Sequence, residues 1–407
     1  MATQDSRSIL FTNTLPQQGF RLLELPPELE ELLSSPNAPV LTMFQLPSLE
    51  LKSPSAALAL AVADPSNQEY VNLCTPTQTY RIRQVQSSNS LHILRPSLGE
   101  ISRADIKVIE EEAGESGGLN LPDEAVTAIA KCSSTLELHV PPVGFSAALF
   151  LEKSLALYDP QNGDDDEDVS MDDSGIEDVA MGPAEMRALR NQVCADIPVS
   201  AAQCEAGWTE ICAFVDKKQK MCWRPSAKMR LNVWRRLTEG TILQGIDLEK
   251  QFLVVDLWKS VLDDDDTLPQ PFPQQLLEAI VRRLCAADQR PPLTDEIKWA
   301  SFDKTECIRW VGETYLAATA PTTSSSIGRS EFLRAWKDYL PESWREEAAM
   351  SKLPEGSYQN ADPTSICFVD PSQRLQTAKA STAAPAAAAK AKTTRNWHEL
   401  LKNSKRR

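Results

Sequence analysis

Eight cations fall between Lys217 and Arg236, namely Lys217, Lys218, Lys220, Arg224, Lys228, Arg230, Arg235 and Arg236, and no acidic residue interrupts them. Trp223 and Trp234 are interleaved with them. Cations at a hairpin tip can lie against phosphates, and aromatic rings can stack on bases or pack behind the cations. The eight are therefore candidates for contact with DNA. Two other readings stay open: a face that docks protein by the same cations, and the wet face of a helix with core tryptophans. A second constellation lies near the end of the chain. Trp397, Leu400 and Leu401 stand at helical spacing, with Lys402, Lys405, Arg406 and Arg407 behind them. One apolar stripe of that length suits a segment that folds when it docks in a partner's groove, and a disordered tail with no partner is the other reading. The terminal cations also suit nuclear import.

Chemistry of other kinds is not written in the chain. It holds no Gly-rich phosphate cradle, no nucleophile elbow and no H-E-x-x-H pair. Three histidines, His92, His139 and His398, leave little to build a catalytic pair with. His92 and His139 lie inside β patterns and read as structural. Asp263 to Asp266 lack the spaced acceptors of a calcium loop and read as a solvated turn. Nine cysteines are scattered without a C-x-x-C pair, which predicts reduced buried thiols rather than a disulfide framework or a zinc site. The expectation is a non-enzyme with no cofactor and no metal.

The elements that position these residues divide the chain. Residues 1–158 read as β-rich. Leu41–Leu46, Ala57–Val62, Tyr70–Cys74, Thr79–Val85, Ser90–Leu94 and Ser134–Val140 are short apolar or alternating runs broken by Pro, Asn, Ser and Asp. Such spacing predicts a barrel or sandwich, with a short helix after Pro26 and Pro27. Asp159 to Asp178 holds ten acids and no cation, within a linker predicted over 159–182 to be disordered. Ser170 and Ser174 there have the surroundings of acid-directed phosphorylation, or are plain linker serines. From 183 the period changes to that of helices. Ile211–Val215, a polar turn and Met221–Trp223 form a hairpin between helices over Ser200–Phe214 and Ser226–Leu243, the pattern of a winged helix. Further helices are expected over Leu248–Val261, Gln274–Cys285, Lys304–Leu316 and Ser330–Tyr339. The reading is three winged-helix units, 183–246, 247–321 and 325–373, then a basic tail over 374–407. The fold class is α+β, an N-terminal β-barrel-like domain followed by tandem winged helices. No apolar run is long enough to span a membrane.

Between Val71 and Leu91 the chain resembles a known family. Leu73-Cys74-Thr75, Thr79-Tyr80, Arg83 and Ser88-Asn89-Ser90-Leu91 carry the likeness, together with the leader Leu22 to Leu33. The family is the Dcc family, the sister-chromatid cohesion subunit of the alternative clamp loader. The likeness is specific over 8–95 and looser over 183–371. It implies a non-catalytic subunit in the nucleus. Its front domain would assemble with the clamp loader's large subunit and a small cohesion subunit. Its winged helices would touch DNA, single- or double-stranded, and DNA polymerase epsilon, with PCNA as the loader's indirect target. The cationic window would then face DNA or the polymerase. A stand-alone winged-helix DNA-binding regulator and a winged-helix docking adaptor, as in ubiquitin ligases, remain alternatives.

Overall fold

A computed structural model describes residues 10–13, 16–36, 40–41, 48–54, 70–97, 125–141, 145–159, 181–262, 270–286, 290–293 and 296–374. They group into two compact units, with the chain passing from the first to the second after Pro141 and short segments at 52–54 and Cys74–Gln78 also counted with the second. Among the described residues no helix is long and apolar enough to cross a membrane. The runs at Ala57–Val62, Asp263–Asp266 and most of Leu41–Leu46, Ser170 and Ser174, and Trp397, Leu400 and Leu401 lie outside the described residues.

The front unit is one sheet with a short helix. Its elements are β1 (Leu10–Asn13), β2 (Leu22–Glu24), α1 (Pro27–Ser34), β3 (Val40–Leu41), β4 (Ser48–Lys52), β5 (Asn72–Cys74), β6 (Thr79–Ser97) and β7 (Ala125–His139). Pro27 opens α1, where its missing N–H would have had no partner in any case. The sheet runs β1-β7-β6-β5-β4-β3, and β2 also pairs with β7. Both β1 and β2 run parallel to β7, in registers Leu10↔Ala125 and Leu22↔Thr135. The expected runs Thr79–Val85 and Ser90–Leu94 are one strand, because the polar residues between them are absorbed as a register shift between Gln86 and Leu91 instead of a turn. Ser87 Oγ accepts the Asn89 amide there at 3.1 Å. Arg83 lies opposite Glu137 and donates to it at 2.8 Å, which holds the Glu137 carboxyl below its ordinary range.

Among the described residues the sheet is open, and no closed barrel forms. Its ends are β1 with β2 on one side and β3 on the other, and nothing described joins them. The buried apolar cluster is small: Leu29, Leu49, Leu73 and Tyr80.

The rear unit repeats one order of elements. The first set is α2 (Ala147–Ser154), β8 (Ala156–Tyr158), α3 (Pro183–Ala195), α4 (Ala201–Glu210), β9 (Phe214–Asp216) and β10 (Met221–Pro225). The second is α5 (Ala227–Gln244), β11 (Phe252–Leu253), α6 (Val254–Val261), α7 (Gln274–Leu284) and β12 (Trp299–Ala300). The third is α8 (Lys304–Thr319), β13 (Ile327–Gly328), α9 (Arg329–Asp338), a 3-10 turn at Glu342–Glu347, β14 (Tyr358–Asn360) and β15 (Ser365–Phe368). Each set carries its own small sheet: β8-β10-β9, β11-β12 and β13-β15-β14. In the first, β8 runs parallel to β10, so that sheet is not wholly antiparallel. The chain is thus a mixed α+β protein with several small sheets.

Packing sets the frame of the repeat. Met229, Val233 and Leu237 of α5 join a core shared with α6, α7 and α8, whereas α2 and α4 belong to a separate cluster around Phe150, Leu151 and Trp208. So α5 opens the second set and does not close the unit expected over 183–246. By the same token Ala147–Tyr158 packs with the rear unit, not with the front region read as 1–158. The helix expected over Leu248–Val261 forms only from Val254, since Phe252 and Leu253 pair with Ala300 and Trp299.

Three tryptophans anchor the larger core, and each indole N–H is satisfied: Trp234 to Tyr339 O at 2.8 Å, Trp336 to Ile308 O at 2.9 Å, Trp344 to Glu249 Oε1 at 2.7 Å. Gly312 is what lets α8 approach Trp336, because a Cβ there would collide with the indole ring. Cys194 and Cys204 are joined as a disulfide between α3 and α4. The expectation of reduced thiols therefore fails at this pair. The cause is spatial: the tight α3–α4 connection brings together two cysteines that no sequence motif pairs. The seven other cysteines form no disulfide, and burial raises the Cys212 and Cys307 thiols and pushes Cys222 up to about 11.

Candidate nucleic-acid interface

The cationic window folds as a hairpin followed by a helix. Met221 pairs with Asp216, which leaves residues 217–220 as the loop. The buried Asp216 builds it: its Oδ1 accepts the amides of Lys218 at 2.8 Å and Gln219 at 3.3 Å. Lys220 closes the turn in the left-handed region, φ 52. These bonds fix the backbone and leave Lys217, Lys218 and Lys220 exposed at the tip. Ser226 then caps α5, its Oγ accepting the Met229 amide at 3.0 Å.

The eight candidate cations do not form one face. Lys217, Lys218, Lys220, Lys228 and Arg235 are exposed, while Arg224, Arg230 and Arg236 are half-buried. Arg235 lies 3.9 Å from Glu239, one turn on. Lys217 is also within electrostatic reach of Glu278, whose carboxyl is raised mainly by burial and lowered by this lysine among others. Lys218 and Lys220 are left with the freest reach toward a phosphate. The tryptophans are not free platforms. Trp234 is wholly buried, and Trp223 packs edge-on against Tyr158 at 6.0 Å. The expected base stacking has no exposed indole in this window to use.

Arg224 and Arg230 point elsewhere. They line a cleft of about 600 Å³ in the rear unit, with Arg283, Arg374, Trp310 and the start of α5. The cleft also holds Glu152, Glu210, Glu313 and Asp370. Arg374 donates to Glu313 at 2.6 Å, and Arg283 lies 3.5 Å from Glu306. Burial, then Asp370, raises the Glu152 carboxyl, while Arg224 and Arg230 pull it down. Sequence reasoning missed Arg283, Arg374 and Trp310 as members of this cleft. They come from three elements far apart in the chain, and no spacing signals them. Among the described residues no group of His, Cys, Asp and Glu is placed to hold a metal ion.

Taken together, the fold and this surface define a class: a mixed α+β protein with an open front sheet and repeated helix-and-sheet modules, one of which presents a lysine-tipped hairpin. A family model described as sister chromatid cohesion protein Dcc1 matches residues 20–375, and the chain belongs to that family. Membership carries a role in sister chromatid cohesion, as a subunit of cohesion-related machinery. No curated protein matches the chain.

Proposed function

We propose that the chain is a non-catalytic subunit of an alternative, cohesion-linked clamp loader, acting in the nucleus. Its front sheet is completed by the loader's large subunit and the small cohesion subunit. Its rear modules act as tandem winged helices that link the loader of PCNA to DNA and to DNA polymerase epsilon. Nucleotide chemistry belongs to other subunits in this reading, and the chain itself uses no cofactor.

The observation that carries the proposal is the imbalance of the front unit. Among the described residues its buried apolar cluster is four residues, while Phe11, Leu91 and Leu94 on its strands are 51%, 50% and 46% exposed. Exposed apolar strands beside sheet edges that no described strand pairs favour association. A stand-alone regulator would be expected to close its own sheet. The test is purification of tagged large subunit and small cohesion subunit from cells, with mass spectrometry of what accompanies them. The chain should co-purify in a fixed ratio and be lost on Leu91→Asp/Leu94→Asp. Its absence from the complex would overturn the proposal. For DNA contact, the exposed tip at Lys218 and Lys220 is the support, and loss of duplex binding on its removal is the check.

A further inference from the structure

We propose that the cleft lined by Arg224, Arg230 and Trp310 binds an acidic side chain of a partner polypeptide, with the two guanidinium groups taking its oxyanion. The site is separate from the hairpin tip and does not depend on the DNA reading of that tip.

Three observations point to a ligand. First, Arg224 and Arg230 are half-buried, and the Nε atom of each is shielded from solvent without an acceptor. Among the described residues the Nε of neither side chain finds an acceptor, although four carboxylates line the same cleft. A shielded donor without a partner costs free energy, which a side-chain shift onto an incoming oxyanion would recover. Second, Trp310 is 4% exposed, and its indole N–H also lacks an acceptor. Third, Pro225, Ser226 and Ala227 place the start of α5 on the cleft wall. Ser226 Oγ satisfies the Met229 amide, and the first amides of the helix favour negative charge nearby.

The mixture of charges selects the class of ligand. Glu152, Glu210, Glu313 and Asp370 share the cleft with the arginines. Duplex DNA carries one negative charge per about 1.7 Å of its axis, and its neighbouring phosphates would meet those carboxylates. A peptide places one acidic group among neutral or basic neighbours and suits such a lining. Carboxylate and phosphate share the needed chemistry, and Arg recognises both through paired N–H donors.

The experiment uses the full-length chain and three labelled pentapeptides, blocked at both ends: Gly-Gly-Xaa-Gly-Gly with phosphoserine, Glu or Ser at the centre. Fluorescence anisotropy should detect the phosphoserine and Glu peptides and not the Ser peptide, the stronger of the two naming the source. Arg224→Gln/Arg230→Gln should weaken binding by at least about tenfold, as expected for losing charge-assisted bonds. Lys217→Ala/Lys218→Ala/Lys220→Ala should leave it unchanged. If the double arginine variant melts early, Ala227→Asp gives a second arm. An acid at the first turn suits the helix and should block the cleft while the fold is kept. No binding by either acidic peptide, peptide binding indifferent to both cleft variants, or an Arg224→Gln/Arg230→Gln chain that loses duplex DNA binding with peptide binding intact would each overturn the proposal.

Discussion

The front and rear units spend their apolar residues in opposite ways. In the rear, Trp234, Trp336, Leu257, Leu276 and Ile280 vanish into a core, and every helix from α5 to α9 contributes to it. In the front, among the described residues, strands up to 19 residues long and one short helix gather only Leu29, Leu49, Leu73 and Tyr80 into a buried apolar cluster. Strand length without core is costly in a free monomer, because ordering backbone must be offset by burial. On the proposed reading, one half is a domain and the other part of an assembly.

The comparison breaks most readily at the front. Residues 1–141 expressed alone should aggregate or bind a hydrophobic dye, and become soluble and monodisperse with the two partner subunits. A well-behaved lone monomer, judged by light scattering, would undo the contrast. In the rear the largest effect should come from Trp336→Ala, which removes a buried ring and its bond to Ile308 O. A loss of about 3–5 kcal/mol is expected in denaturant melts of the full chain. Leu91→Ser/Leu94→Ser should change the same melts by less than about 0.5 kcal/mol, since both side chains face solvent in the free chain. At the hairpin, Lys217→Ala/Lys218→Ala/Lys220→Ala should reduce the log–log salt slope of duplex binding by about 2–3 units, weakening all sequences alike. Unchanged DNA binding with lost polymerase binding would reassign the tip to protein contact.

The smallest effect is a pH dependence at Glu152. Burial raises its folded carboxyl above the unfolded value. Near pH 3 the group is protonated in both states and costs nothing. Above about pH 4.3, where the unfolded chain ionises, the folded state is disfavoured. Glu152→Gln should therefore match the parent in acid and exceed it in melting temperature at neutral pH. Equal melting temperatures at both pH values would show that Arg224 and Arg230 fully compensate the charge.

Much of this was legible in the chain. The hairpin at Met221–Trp223, α5, α7, α8 and α9 follow from apolar spacing, and Pro26-Pro27 marks α1. The tip was legible because Lys217, Lys218 and Lys220 stand in one polar turn. What failed depends on contacts between distant elements. Arg224 and Arg230 looked like the same surface as the lysines, yet their place on β10 and the first turn of α5 turns them into a cleft completed by Arg283 and Arg374. Trp234 looked available for stacking until α8 and Trp344 enclosed it. Alternation predicts strands at Thr79–Val85 and Ser134–Val140, but whether a sheet closes depends on which edges meet, and periodicity carries no such information.

Hydrogen exchange on the full-length chain, alone and with the clamp loader's large-subunit tail and the small cohesion subunit, tests the division most directly. In the chain alone, amides of α5, α7 and α8 should exchange slowly, while those of β1, β2 and the outer part of the β6–β7 ribbon exchange orders of magnitude faster. Adding both partners should slow the front strands and leave the rear helices unchanged. Front strands already as protected as α7 in the free chain, and indifferent to the partners, would contradict the account.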